Sequence, residues 1–227
     1  MNKSLRKRLI IGILLLVLSA ILAVFAHSTP YFPGDVRAMQ FIQSLNSPFL
    51  TSFMTIVSQG FTGIPAVLLV ITCVVIIWWR LGMLEGIFVA ATGVLSPIAN
   101  LFKLIIEQPR PPTSLANIIT PLGGLGFPSG HAFFAAMVLG MLIYFILKNV
   151  SLPAVRVLLV SILIFIILLV GYSRVYLGDH WVSETVESYF IASGFLLLLT
   201  AFYEQRKTSK ERRRRRLIPP LVASLLF

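Results

Sequence analysis

Long apolar runs without a single charge decide what this chain can fold into. Residues 9–26 form one such run, and a second charge-free stretch covers 38–79. Inside hydrocarbon every backbone N–H and C=O must find its partner within the protein. A stretch of roughly 20 apolar residues therefore crosses a bilayer as a helix. The composition agrees: 57% hydrophobic residues against 12% charged, with a mean hydropathy of +0.92, exclude an ordinary soluble domain. The pattern predicts an all-α membrane bundle of six spans at 9–26, 63–79, 81–102, 129–147, 157–173 and 181–203. The first run is longer than a signal-peptide core, although Val24-Phe25-Ala26 resembles a cleavage site, and is read as a span.

Between the first two spans, Val36, Met39, Ile42 and Leu45 recur at helical spacing, separated by Arg37, Gln40, Gln43 and Ser44. This predicts one interfacial amphipathic helix within 35–53. With no repeat or low-complexity linker, the chain reads as one membrane domain over 1–205, followed by a basic tail over 206–227. The stretch 217–227 is too short to span. Cys73 has no partner within the chain, so no intramolecular disulfide forms.

The 19 basic residues fix an expected orientation. If the N-terminus is cytoplasmic, Lys3, Arg6, Lys7, Arg8, Arg80, Lys148, Arg156 and the eight in 206–216 all lie inside. Only Arg37, Lys103, Arg110 and Arg174 fall outside. That asymmetry predicts cytoplasmic termini. It also makes the net charge of +11 largely a property of the inner surface. The run Arg212 to Arg216, beside a span, suits anionic lipid and stop-transfer better than nucleic acid, and no nucleic-acid partner is expected.

The outward cations gather with two of the three histidines. Lys103 closes the third span, and Arg110 follows in Glu107-Gln108-Pro109-Arg110-Pro111-Pro112. Phe127-Pro128-Ser129-Gly130-His131 opens the fourth, with Ser129 a candidate N-cap and a helix N-terminus suited to an anion. Ser173-Arg174 closes the fifth, and Asp179-His180-Trp181 with Glu184 opens the sixth. If that helix begins near Asp179, His180 and Glu184 sit one turn apart. Alternating spans bring all three elements to one membrane surface. Cations for phosphate oxygens, an imidazole nucleophile with a carboxylate behind it, and a second imidazole as acid supply phosphoryl transfer without a metal or other cofactor. Glu107 is expected to be a solvated loop residue, Glu187 a contact between helices, and His27 an interface residue. Tyr172, Tyr176 and Trp181 are expected in the interfacial aromatic belt.

These segments resemble the type-2 phosphatidic acid phosphatase (lipid phosphate phosphatase) superfamily, whose motifs are Lys-x6-Arg-Pro, Pro-Ser-Gly-His and Ser-Arg-x5-His-x3-Asp. They read here as Lys103 to Arg110-Pro111, Pro128 to His131, and Ser173-Arg174 to His180. The resemblance implies that Lys103, Arg110, Ser129, Gly130 and Arg174 hold phosphate, that His180 is the nucleophile, and that His131 is the general acid. Glu184 stands where the motif has aspartate and is expected to keep its role beside His180, with Asp179 as the alternative partner. The implied activity is hydrolysis of a membrane lipid phosphate, phosphatidylglycerophosphate or phosphatidic acid, at the extracytoplasmic face of the cell membrane. Undecaprenyl diphosphate is the rival substrate. A lipid or anion transporter is the rival class, although such sites usually lie near the midplane between repeats.

Overall fold

The computed structural model describes residues 3–119 and 123–217, with side chains to residue 209. Those residues form nine helices: α1 (Lys3–Ser28), α2 (Asp35–Ser44), α3 (Pro48–Gln59), α4 (Gly63–Leu81), α5 (Met83–Leu95), α6 (Ile98–Ile106), α7 (Gly130–Asn149), α8 (Pro153–Tyr176) and α9 (Val182–Leu217). Six units among them are long and apolar enough to cross a membrane, α5 and α6 together making one. All six predicted spans therefore form. The stretch 217–227 lies outside the described residues beyond Leu217.

Two elements differ from expectation, both at a proline. The third span is broken at Ser96-Pro97, where proline supplies no N–H to continue α5 and Ser96 Oγ instead donates to Thr92 O at 2.7 Å. The single interfacial helix is a pair. α2 ends at Ser44, and Ser47 starts α3 anew by accepting from Leu50 N at 3.2 Å ahead of Pro48 at the first helical position. α9 also runs unbroken through residue 205.

The bundle packs around α7, whose Ala132, Phe133, Met137, Met141 and Phe145 are all buried. α1 lies closely along α9 at Gly12 and Gly194, where a Cβ on either would press on the other's carbonyl, the small-residue contact that apolar helices need in lipid. Outward faces are apolar, with Leu14, Val24 and Ile64 well exposed. α2 and α3 lie across the end of α8: Met39 packs with Val175 and Trp181, and Met54 with Tyr176 and Leu177. Tyr176 and Trp181 are consequently 0% exposed and do not join an aromatic belt. Tyr176 Oη donates to Asn46 Oδ1 at 3.0 Å, so these rings clamp the α8–α9 turn. At the opposite end of the bundle Glu85 holds Tyr203 at 2.7 Å and Lys207 at 3.2 Å.

Candidate active site

Three chain breaks meet at one end of the bundle: the loop after α6, the start of α7 and the α8–α9 turn. α6 stops at Ile106, and Glu107, exposed as expected, takes a left-handed conformation with φ 55°. His27 Nδ1 lies 2.9 Å from Ile106 O and pins this end to α1. The loop then doubles back through a Pro109–Leu125 bridge, with Gly126 N donating to Gln108 O at 2.8 Å. Lys103 Nζ donates to Leu125 O at 2.9 Å. The α8–α9 turn needs Gly178 at φ 82°, and His180 precedes the helix rather than lying within it.

Lys103, Arg110, Gly130, His131 and His180 line one cavity of about 810 Å³. Its remaining wall is mostly apolar, following Ala66, Val70, Val74 and Trp78 along α4, with Thr62, Ser96 and Asn100 as its polar members. Gly63 to Trp78 extends roughly 22 Å at 1.5 Å per residue, most of a bilayer's hydrocarbon thickness. A polar end thus opens into a long apolar groove.

His180 is 1% exposed and fixed at both ring nitrogens. Its Nδ1 lies 2.7 Å from Glu184 Oε2, and its Nε2 lies 3.4 Å from Arg110 Nη1. A guanidinium only donates, so Nε2 carries the lone pair and Nδ1–H donates to the carboxylate. The imidazole therefore presents an unprotonated nitrogen to the cavity with its tautomer set from behind. Glu184, 0% exposed, also accepts from Trp181 N at 3.2 Å. Asp179 plays another part: its Oδ2 pairs with Arg174 Nη2 at 2.6 Å, and its carbonyl accepts from Arg110 Nη1 at 2.8 Å.

Ser129, Arg174 and Glu184 stand behind the cavity wall, each 2% exposed or less. Arg174 is gripped by Ser58 of α3 as well as by Asp179. Ser129 heads α7 without a capping hydrogen bond from its side chain. Its backbone N–H is already taken by Ser188 Oγ at 2.8 Å, which leaves the first-turn N–H groups after it to face an anion. Arg110 Nε, Arg174 Nε and Ser129 Oγ are buried without a protein acceptor among the described residues. An orphaned buried donor costs about 1–3 kcal/mol, and an acceptor such as an anion's oxygen would satisfy each of these.

Sequence reasoning missed the outer frame. Asp35, at the start of α2 and 4% exposed, accepts from Ser183 N at 2.9 Å and Ser183 Oγ at 2.6 Å. It closes the N-terminus of α9 with a carboxylate, so that helix end is already satisfied. Ser58 and Ser188 were likewise unmarked by any motif. Arg37 is exposed on α2, outside the cavity lining.

Burial and the surrounding Lys103, Arg110 and Arg174 hold the His180 pKa well below its ordinary 6.5. The folded protein thus refuses a proton that the unfolded chain accepts, and stability falls as pH drops below about 6.5. We expect the melting temperature in detergent to decline across that range, and to decline less steeply in His180→Gln. Parallel pH profiles for the two proteins would show that His180 is not held neutral.

A six-span bundle with a cationic pocket at one end suits a membrane phosphatase, and the family to which the chain belongs makes it one. The PAP2 superfamily model matches residues 82–208, and the chain belongs to that family. Phosphatidylglycerophosphatase B of Bacillus subtilis (strain 168) is 28% identical over 171 residues, covering 74% of this chain and 83% of that protein. The crystal structure of the first transmembrane PAP2-type phosphatidylglycerolphosphate phosphatase from Bacillus subtilis superposes with a TM-score of 0.74 at 23% identity, covering 86% of this chain and 96% of that one. That of Aquifex aeolicus LpxE gives 0.58 at 21%, covering 74% and 96%.

Proposed function

We propose that this chain hydrolyses phosphatidylglycerophosphate from the extracytoplasmic side of the cell membrane, through a phosphohistidine at His180. The observation that carries the reading is the lone pair of His180 Nε2 facing a cavity that is cationic at one end and an apolar groove beyond it. The lipid tail lies along α4 and the phosphate among Lys103, Arg110, Arg174 and the α7 N-terminus. Nε2 attacks phosphorus as the phosphorus–oxygen bond to the lipid breaks, and His131 gives its proton to the departing alkoxide. Water, deprotonated by the now neutral His131, then attacks the phosphohistidine, which releases inorganic phosphate and restores both histidines. The similarity to the Bacillus phosphatidylglycerophosphatase B supports the substrate, and the distribution of Lys and Arg supports the orientation.

The test is phosphate release by the purified protein in detergent with a chelator present. Catalytic efficiency is compared over phosphatidylglycerophosphate, phosphatidic acid and undecaprenyl diphosphate. The highest value is expected for the first without added metal. A clear preference for the diphosphate would reassign the substrate, and loss of turnover in chelator would overturn the metal-free mechanism.

A further inference from the structure

Glu184 reaches His180 because residue 126 has no side chain. Gly126 lies in the loop ahead of α7, buried, and its φ is outside the left-handed region, so backbone freedom does not explain the glycine. Space does. A Cβ built there would sit 2.9 Å from Glu184 Cδ and 3.0 Å from Oε2, and closer still to Oε1. The loop cannot easily retreat, since Gly126 N is tied to Gln108 O at 2.8 Å and Phe127 beside it is 1% exposed. The carboxylate would have to move instead, by on the order of 1 Å to regain ordinary contact. Oε1 has no hydrogen-bond partner among the described residues, while Oε2 carries the 2.7 Å bond to His180 Nδ1 that such a shift breaks.

We propose that Gly126 is a positioning residue for the reaction, its missing side chain matched to the length of Glu184. This rests on the reading of His180 as nucleophile. A methyl group at 126 and the full glutamate at 184 compete for one volume. With aspartate at 184, one methylene shorter, the methyl group fits, whereas aspartate opposite glycine leaves a gap and withdraws from the imidazole. Each residue is therefore correct only with its counterpart.

The experiment is a double-mutant cycle on the full-length protein: Gly126→Ala, Glu184→Asp and both together. Release of phosphate from phosphatidylglycerophosphate is measured in detergent, alongside melting temperature. Gly126→Ala is expected to lower kcat by about 10- to 100-fold with KM near wild type, since a displacement of about 1 Å harms positioning more than binding. Glu184→Asp alone also lowers kcat. The double variant is expected to exceed Gly126→Ala in kcat, so aspartate harms one background and helps the other. If Gly126→Ala is unfolded, the double variant recovers both melting temperature and turnover. A double variant no better than Gly126→Ala, or a fully active Gly126→Ala, would overturn the pairing. An inactive wild type would instead sink the functional reading beneath it.

Discussion

Alanine at position 180 is expected to lower phosphate release by at least about 10³-fold while leaving the protein folded and able to bind lipid phosphate. The imidazole bonds only at its two ring nitrogens, to Glu184 and Arg110, and the bundle core of α7 does not depend on it. On the proposed mechanism its loss removes the atom that receives the phosphoryl group, so no positioning by the remaining cations compensates. Brief incubation with a radiolabelled lipid phosphate, quenched in alkali, separates nucleophile from general base. Wild type is expected to carry acid-labile label on protein and His180→Ala none. Turnover within tenfold of wild type in the variant, or label surviving there, would take His180 out of its assigned role.

What could be foreseen from the chain alone divides by distance in sequence. The six spans were legible because lipid forces long apolar runs, and the cluster was legible because its members sit at span ends whose side of the membrane follows by alternation. Pro97 and Pro48 marked both departures from the predicted helices, Pro97 by withholding an N–H from the ladder and Pro48 by opening a new helix behind the Ser47 cap. Those breaks could have been drawn without any structure.

The frame around the site could not. Asp35 meets Ser183 across 148 residues, and Ser58 meets Arg174 across 116. A lone aspartate or serine at such separation carries no periodicity and no motif. Trp181 and Tyr176 show the same limit from the other side, since an aromatic at a span end faces either lipid headgroups or a neighbouring helix by equal rights. Here α2 and α3 lie over them, and that packing follows from tertiary structure that local pattern does not encode. Glu184 is the intermediate case. Its spacing to His180 predicted the contact, but the space that admits it belongs to a loop residue 58 positions earlier.

Arg174→Ala is expected to damage the protein twice over, and the two losses have separate causes. The guanidinium is 2% exposed and bridges Ser58 of α3 and Asp179 of the α8–α9 turn. Removing one member of a buried pair costs about 3–5 kcal/mol, because the surviving charge keeps its desolvation penalty. The melting temperature should therefore fall by many degrees. Turnover measured well below that temperature should fall a further ~10²–10³-fold, as for the loss of one preorganised donor to the transferring phosphoryl group. Arg174→Lys restores charge but not the fork, so it cannot serve Ser58, Asp179 and a phosphate oxygen together, and recovery is expected in stability more than in rate. Arg37→Ala, on the exposed face of α2, supplies the contrast and should change neither measurement. A wild-type melting curve for Arg174→Ala would show that the buried pair does not brace the turn. A near-normal kcat in the folded variant would show that the guanidinium braces without touching phosphate, leaving Lys103 and Arg110 to neutralise the transition state alone.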